Sequence, residues 1–212
     1  NAYPLVYESE NLNIDLFNKY IFNNHFYTIV GFQYQKATMK ADYNPEITQS
    51  DFYINSVYLD PSGLNLNAGM RYNHHNAYKG QWIYTLNPSY SFDFITNYQM
   101  KILTSYSKAF IAPGLYQLYD PSYGNEALKP ENNTSFELGS EIRSNQTTLS
   151  AVYFNRIEDP TLIFGPPDDG YQYGRYANSA KEISYRGVEL AYNFKLFDSA
   201  KTRLNYIFTE TT

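Results

Sequence analysis

The sequence predicts an all-β protein: an antiparallel, up-and-down segment of a transmembrane β-barrel with about ten or eleven strands. Polar and apolar residues alternate along most of the chain, and short and long links between the strands also alternate. Charged residues make up 17% of the 212 positions, aromatic residues make up 18%, and 24 residues are tyrosine. No apolar run approaches the ~20 residues of a membrane helix. This composition is typical of a membrane wall built from strands.

Period-two alternation is clearest in residues 64–73, 81–93, 135–143 and 187–194. In the first of these, Leu64, Leu66 and Met70 share one face of the predicted strand, and asparagines share the other. A soluble sandwich alternates in the same way, with its apolar face inward. A membrane barrel turns its apolar face to lipid and its polar face to the lumen. Alternation alone therefore leaves both architectures open.

The lengths of the links favour the barrel. Outer-membrane barrels combine tight turns at one end with long loops at the other, an arrangement that sandwiches have no reason to adopt. Many strands also have about ten residues, enough to cross a bilayer at a tilt. Short links are predicted near residues 19–24, 60–63, 93–97, 143–146 and 197–200, and longer ones near 40–50, 73–80, 109–132 and 157–178.

An open sheet of this size has two unpaired edges, which lipid does not tolerate because every backbone donor there needs a partner. We therefore expect the missing strands to come from the rest of a longer chain or from another copy, and both ends to be cuts in a longer protein. A net charge of -5 argues against nucleic acid as a partner. The absence of cysteine excludes disulfides and thiolate metal sites.

Two ordered motifs resemble a known family. Residues 105–119 read SYSKAFIAPGLYQLY, residues 124–131 read GNEALKPE, and Glu137 and Gly139 follow in the next strand. Residues 178–190 read NSAKEISYRGVEL. Both motifs are similar to the C-terminal barrel signature of TonB-dependent receptors, and the segments around 117–119 and 124–125 look most like vitamin B12 receptors.

The resemblance implies that residues 1–212 are one partial barrel domain, cut from a 22-stranded barrel whose N-terminal plug is absent here. It also implies an integral protein of the Gram-negative outer membrane that takes up cobalamin or a ferric siderophore with energy from the TonB system. Its partners would then be outer-membrane lipid, the plug of the parent chain, TonB, and the cobalamin or iron chelate. The alternatives are a passive porin or adhesin barrel and a soluble all-β binding module.

The residues that carry the resemblance are expected to be structural more often than to contact a ligand. Pro113 lacks an amide donor and fits the end of a strand, and Pro130 keeps the chain extended before the next one. Gly124 and Asn125 suit a turn. On the lumen face, Glu137 could pair with an arginine. The complete set is Ala109, Pro113, Leu118, Tyr119, Gly124, Asn125, Leu128, Pro130, Glu131, Glu137, Gly187 and Glu189.

Tyrosines in the two longest links are the candidates for ligand contact. Tyrosine offers a large rigid face and one hydroxyl, which suits a large and partly apolar ligand such as a corrin. The alternative is the aromatic girdle at the membrane interface. The candidates are Tyr116, Tyr119, Tyr123, Tyr171, Tyr173 and Tyr176.

Other polar groups are expected to have no catalytic role and to bind no metal or cofactor. The pair His74–His75 is predicted to be solvated in an outer loop. Arg71 and Arg143 are predicted to join a lumenal charge ladder with Glu137, Glu141 and Glu189. No nucleophile elbow, phosphate loop or zinc motif is present, so we expect no enzyme activity. Acidic residues in two of the long links could bind Ca²⁺ through their oxygens, but no spacing matches a calcium loop, so they are expected to keep the loops soluble. They are Asp42, Glu46, Asp51, Glu158, Asp159, Asp168 and Asp169.

Overall fold

A computed structural model describes residues 8–40, 44–166, 172–197 and 200–212. Almost every regular element is a strand. The elements in chain order are β1 (Ser9–Ile21), β2 (Phe26–Met39), β3 (Glu46–Leu59), β4 (Leu64–His75), β5 (Lys79–Ile95), β6 (Tyr98–Ile111), α1 (Leu115–Tyr119), β7 (Glu131–Arg143), β8 (Thr147–Glu158), β9 (Leu162–Phe164), β10 (Tyr176–Asn178), β11 (Ile183–Phe197) and β12 (Ala200–Thr211).

Ten of these strands form one antiparallel sheet in which each strand pairs with its neighbours in the chain. The order is β1-β2-β3-β4-β5-β6-β7-β8-β11-β12, and β9 pairs separately with β10 inside the connection between β8 and β11. Most of the ten strands have 12 to 14 residues, and β5 has 17. The predicted up-and-down sheet is therefore confirmed, with β1 and β12 as its two edges.

The sheet exposes its apolar face and buries its polar face, which is the reverse of a soluble domain. Large apolar side chains on one face are exposed, such as Phe52 at 62% and Trp82 at 53%. Polar side chains on the other face are buried, such as Asp51 at 1%. Within the described residues, few apolar side chains are buried: Met39, Val57, Leu118, Leu128 and the prolines Pro45 and Pro113. A sandwich would bury its apolar face, so this sheet matches a barrel wall with an apolar outer face and a polar inner face.

No helix in the described part of the chain is both long and apolar enough to cross a membrane.

The connections at one end of the sheet are all short, as predicted, but two of the four predicted long links at the other end are shorter than expected. The strand β3 already begins at Glu46, and β4 continues to His75. The link between β4 and β5 is then only residues 76–78, and Lys79 closes it with a φ of 61°. Polar residues at the ends of these strands resemble loop sequence, yet they pair in register with their neighbours. The long connections are residues 112–130 and 159–182.

Candidate binding site at the long-loop end of the sheet

A row of polar side chains crosses the inner face of five strands. Asp15, Gln33, Asp51, Asn73 and Gln81 lie opposite one another from β1 to β5. Side chains two positions apart in a strand share a face, so these residues mark the inner face of each strand. The inner wall near the long connections is therefore lined with hydrogen-bonding groups.

Asp51 is the centre of this row. Its Oδ1 accepts a hydrogen bond from the Asn73 amide at 2.7 Å. Its Oδ2 accepts from Arg71 at 2.8 Å and from Gln49 at 3.1 Å. Arg71 also donates to Gln33 at 2.8 Å. A buried carboxylate needs both a charge partner and hydrogen bonds, and Asp51 has both.

Tyr53 extends the network across the sheet towards its edge. Its hydroxyl donates to Asp15 on β1 at 2.9 Å, although β2 lies between the two strands. Gly31 on β2 allows this, because a Cβ at that position would overlap the Tyr53 ring. The Arg71 guanidinium lies 4.9 Å from the centre of the same ring, a cation–π contact.

The predicted charge ladder is wrong for Arg71, whose acidic partner is Asp51 on the adjacent strand. Arg143 does pair with Glu141, at 2.8 Å on the same face of β7. Glu137 and Glu189 line a cavity on the inner wall together with Arg156. The ion pair of that arginine is with Glu158 at 2.6 Å.

The expectation that the acidic residues only keep loops soluble is wrong for three of them. Asp51 and Glu46 lie in β3, where Glu46 pairs with Lys36 on β2 at 2.6 Å. Glu158 ends β8 and is 7% exposed, beside Arg156. In each case the strand continues further than its polar composition suggests. Asp42, Asp168 and Asp169 lie outside the described residues.

The two adjacent histidines end β4, which corrects the prediction of a solvated loop. His74 is exposed on the outer face, whereas His75 is 1% exposed on the inner face. The His75 ring packs on Tyr78, with ring centres 4.9 Å apart. The pairing of β4 with β3 continues as far as His75 opposite Gln49, so alternation turns the two side chains to opposite faces.

Tyr78 joins this strand end to the first long connection. Its hydroxyl donates to the Leu128 carbonyl at 3.0 Å. Burial raises the pKa of the Tyr78 phenol, and the nearby Tyr119 phenol raises it further. Tyr119, one of the predicted ligand contacts, is half-buried at the end of α1 in the same region.

The two long connections are bound to each other, and we call them the loop pair (residues 112–130, with 159–166 and 172–182). The backbone of Tyr176 in β10 donates to the Tyr123 carbonyl at 3.0 Å. Glu131, at the start of β7, accepts from the Leu162 amide in β9 at 3.2 Å. The loop pair is therefore one hydrogen-bonded structure above the inner wall.

Two asparagines fasten the loop pair. The Asn125 side chain donates to the Tyr176 carbonyl at 2.9 Å and accepts from the Ala127 amide at 3.0 Å. The Asn178 side chain accepts from the Lys129 amide at 2.7 Å and donates to the Lys129 carbonyl at 2.9 Å. Both sequence motifs thus contribute an asparagine to the same junction.

Three of the candidate tyrosines take part in ring contacts between the two long connections. Tyr176 contacts Tyr116 and Phe164 edge to face, with ring centres 6.0 and 5.3 Å apart. Phe164 also contacts Tyr123, at 5.8 Å. Tyr173 differs from them because it is 69% exposed. Tyr171 lies outside the described residues.

The first motif places several of its residues in the small buried centre of the loop pair. Pro113, Leu118 and Leu128 are almost completely buried. Gly124 follows α1 so closely that a Cβ would lie 2.6 Å from the backbone of Asp120. Pro130 is half-buried immediately before β7.

The other four residues of the set that carries the resemblance lie on the inner face of the strands. Ala109 on β6 is opposite Asn133, and Glu137 on β7 is half-buried. Gly187 on β11 is buried beneath the Phe154 ring, which leaves no room for a larger side chain. Glu189, two residues further, is exposed on the same face.

Known proteins resemble this chain in a way that agrees with the exposed apolar face of the sheet and with both motifs. The family model described as "TonB dependent receptor-like, beta-barrel" matches residues 4–212. The chain belongs to this family. The resemblance carried by the two motifs is therefore confirmed at the level of the barrel.

Among named relatives, the vitamin B12 transporter BtuB of Vibrio cholerae is 44% identical over 129 residues, which are 61% of this chain and 20% of the relative. The ferric enterobactin receptor of Pseudomonas aeruginosa is 28% identical over 153 residues, covering 61% of this chain and 19% of the relative. The chain thus spans about a fifth of their length. The solved siderophore receptor PirA of Pseudomonas aeruginosa has the same fold, with a TM-score of 0.76 and 22% identity over 95% of this chain and 41% of that one.

Sequence reasoning missed the cluster of Asp51, Asn73 and His75. A signal was available, because Arg71, Asn73 and His75 continue the polar side of the alternation that begins at Asn65. A strand can continue where every second residue stays polar, even if the residues between them are polar as well.

Proposed function

We propose that the parent protein is an outer-membrane receptor of a Gram-negative bacterium that takes up cobalamin with energy from the TonB system. The observation that carries this proposal is the 44% identity with the vitamin B12 transporter BtuB over 129 residues. The ten-stranded sheet supplies part of the barrel wall, and the apolar outer face fits lipid contact. The plug and the TonB-contacting segment would belong to other parts of the parent chain.

An iron chelate is the second candidate ligand, and one observation favours it. The ferric enterobactin receptor is 28% identical over an alignment that covers 61% of this chain, the same share as for BtuB. The lower identity places this candidate behind cobalamin. Both ligands are large, so both need a wide site at the loop end of the barrel.

For the candidate contacts, we propose a division within the loop pair. Tyr173 is exposed and would contact the ligand directly. The ring cluster of Tyr116, Tyr123 and Tyr176 would hold the loops that shape the site. Tyr119 stays a candidate contact at the end of α1, and Tyr171 stays a candidate from the sequence alone.

Calorimetry on the full-length parent protein in detergent tests the proposal, with cyanocobalamin and a panel of ferric siderophores as ligands. Tight binding of cyanocobalamin supports it. Binding of a siderophore alone would keep the receptor function and replace the vitamin, and no binding at all would favour a passive barrel. Uptake by cells that lack TonB, compared with cells that contain it, tests the energy source separately.

Tyr173→Ala tests the proposed division of the tyrosines, with Tyr176→Phe as a control that keeps the ring packing. An exposed aromatic contact contributes about 1 kcal/mol, so Tyr173→Ala should weaken binding about fivefold. Tyr176→Phe should leave binding within about twofold, because its backbone hydrogen bonds and its ring are kept. Equal affinities for Tyr173→Ala and the wild type would remove Tyr173 from the site.

A further inference from the structure

A cavity of about 500 Å³ lies at the short-turn end of β8, β11 and β12. Its volume is within the ~300–1,000 Å³ of small-molecule sites. Lys201 and Arg203 line it from β12, two residues apart and therefore on one face of the strand. Arg203 is opposite Asn193 in the pairing, and Asn193 shares the inner face of β11 with Glu189. The cavity therefore belongs to the inner wall.

The positive charges of Lys201 and Arg203 are not neutralised by any acidic group among the described residues. None of the described residues that line the cavity is acidic. Neither cation forms an ion pair within the part of the chain that the structure describes, and both side chains are exposed. The whole chain has 21 Asp and Glu against 16 Lys and Arg, so this local excess of positive charge does not follow from the composition.

The side chains around the cavity suit an oxyanion. The Nε of Arg203 donates to Asn205 at 3.3 Å, which leaves the Nη donors of the guanidinium for another acceptor. Lys201 is directly opposite Lys195, and like charges in that position repel each other. A phosphate between the strands would offset this repulsion and accept charge-assisted hydrogen bonds. Neutral donors that also line the cavity are Gln146, Thr148 and Asn193.

The charges of the inner wall nearer the long connections cancel in pairs. Asp51 pairs with Arg71 at 2.8 Å, and Glu158 pairs with Arg156 at 2.6 Å. An anionic group that moves along the wall away from the loops therefore meets uncompensated positive charge at this end of β12. Short turns of outer-membrane barrels face the periplasm, so the two cations lie at the end of the wall where a transported ligand leaves.

We propose that Lys201 and Arg203 form a transient subsite for the phosphodiester of cobalamin, which the ligand occupies as it passes along the inner wall. Cobalamin carries a single phosphodiester, between a side arm of the corrin ring and the nucleotide base. The assignment rests on the proposed function, and it adds a second contact for the same ligand at the opposite end of the wall from the loop pair. The two cations lower the free energy of the anionic group after it has left the loops.

The test is the uptake of radiolabelled cyanocobalamin and dicyanocobinamide by cells that produce the full-length protein. Dicyanocobinamide keeps the corrin ring and lacks the phosphodiester and the base. Lys201→Gln/Arg203→Gln removes both cations of the subsite. Lys101→Gln/Lys108→Gln is the matched control, because it removes two cations from β6, outside the cavity. Calorimetry on the purified proteins measures the affinity for cyanocobalamin separately, and urea unfolding without ligand measures their stability.

We expect Lys201→Gln/Arg203→Gln to slow cyanocobalamin uptake about fivefold, the size of effect of two exposed charge interactions. Its uptake of dicyanocobinamide and its affinity for cyanocobalamin should stay within about twofold of the wild type, and the control should match the wild type throughout. Equal slowing of both ligands would overturn the proposal, and so would unchanged uptake of cyanocobalamin. A lower midpoint of urea unfolding would overturn it too, because the cations would then bind a carboxylate elsewhere in the parent chain.

The two proposals fail in different ways. A wild-type protein that neither binds nor takes up cyanocobalamin refutes the proposed ligand and the subsite together, whereas normal wild-type uptake with an indifferent double variant refutes the subsite alone. If the wild type does not take up dicyanocobinamide, cyanocobalamin uptake and the unfolding midpoint decide. If the double variant does not reach the membrane, Arg203→Gln and Arg203→Lys replace it. Arg203→Lys keeps the charge and should take up cyanocobalamin faster than Arg203→Gln, and equal rates overturn the subsite.

Discussion

Replacing Arg71 by methionine would isolate the buried Asp51 carboxylate on the inner wall. Asp51 is 1% exposed and has its ion pair with Arg71 at 2.8 Å. Methionine keeps an unbranched apolar stem and removes the charge. Breaking a buried ion pair costs about 3–5 kcal/mol. Because 34% of the Arg71 side chain is exposed and partly screened by water, we expect a loss of about 2–4 kcal/mol in the free energy of unfolding.

A double-mutant cycle separates the charge from the packing. Asp51→Asn removes the carboxylate charge and keeps the size of the side chain. In Arg71→Met/Asp51→Asn no unpaired charge remains, so the double variant should be more stable than Arg71→Met by about 1–3 kcal/mol. The assay is urea unfolding of the full-length protein in phospholipid vesicles, followed by tryptophan fluorescence. A stability of Arg71→Met within about 0.5 kcal/mol of the wild type, or a double variant less stable than Arg71→Met, would refute the reasoning.

Three further changes test the faces, the inner network and one turn in the same unfolding assay. Leu86→Arg puts a charge in the exposed apolar face and should cost about 2–4 kcal/mol in a bilayer, whereas Asn87→Arg on the inner face should cost far less. Gly31→Ala should displace the Tyr53 ring and cost about 1–3 kcal/mol, with loss of the hydrogen bond to β1. Hydrogen bonds from the Tyr58 phenol and from Ser62 in the turn lower the pKa of the Asp60 carboxyl from 3.8 to about 2. Its carboxylate therefore stabilises the folded protein above about pH 4, and this contribution is lost as the pH falls to about 2, so Asp60→Asn should remove that part of the acid sensitivity.

The faces of the sheet were predictable because alternation is local. From Leu64 to Asn73 each residue already carries the polarity of the face that it occupies, and no distant contact is needed. The strand ends near the long connections were not predictable in the same way. Beyond the lipid, the outer face no longer has to be apolar, so His74 and His75 look like loop residues while they still pair with β3.

The candidate site depended on contacts between distant parts of the chain. The Tyr53 hydroxyl reaches Asp15 from 38 residues away, and the Asn125 amide reaches Tyr176 across 51 residues. Composition correctly marks the long connections as rich in tyrosine. It does not tell which rings pack on one another and which stay exposed like Tyr173, because that depends on how two loops meet.

A chain of contacts links the end of β4 to the loop pair. The His75 ring packs on Tyr78, and the Tyr78 hydroxyl donates to the carbonyl of the buried Leu128. The position of the first long connection is therefore tied to the inner wall through one ring contact and one hydrogen bond. Loss of either contact would weaken the link between the end of β4 and the loop pair.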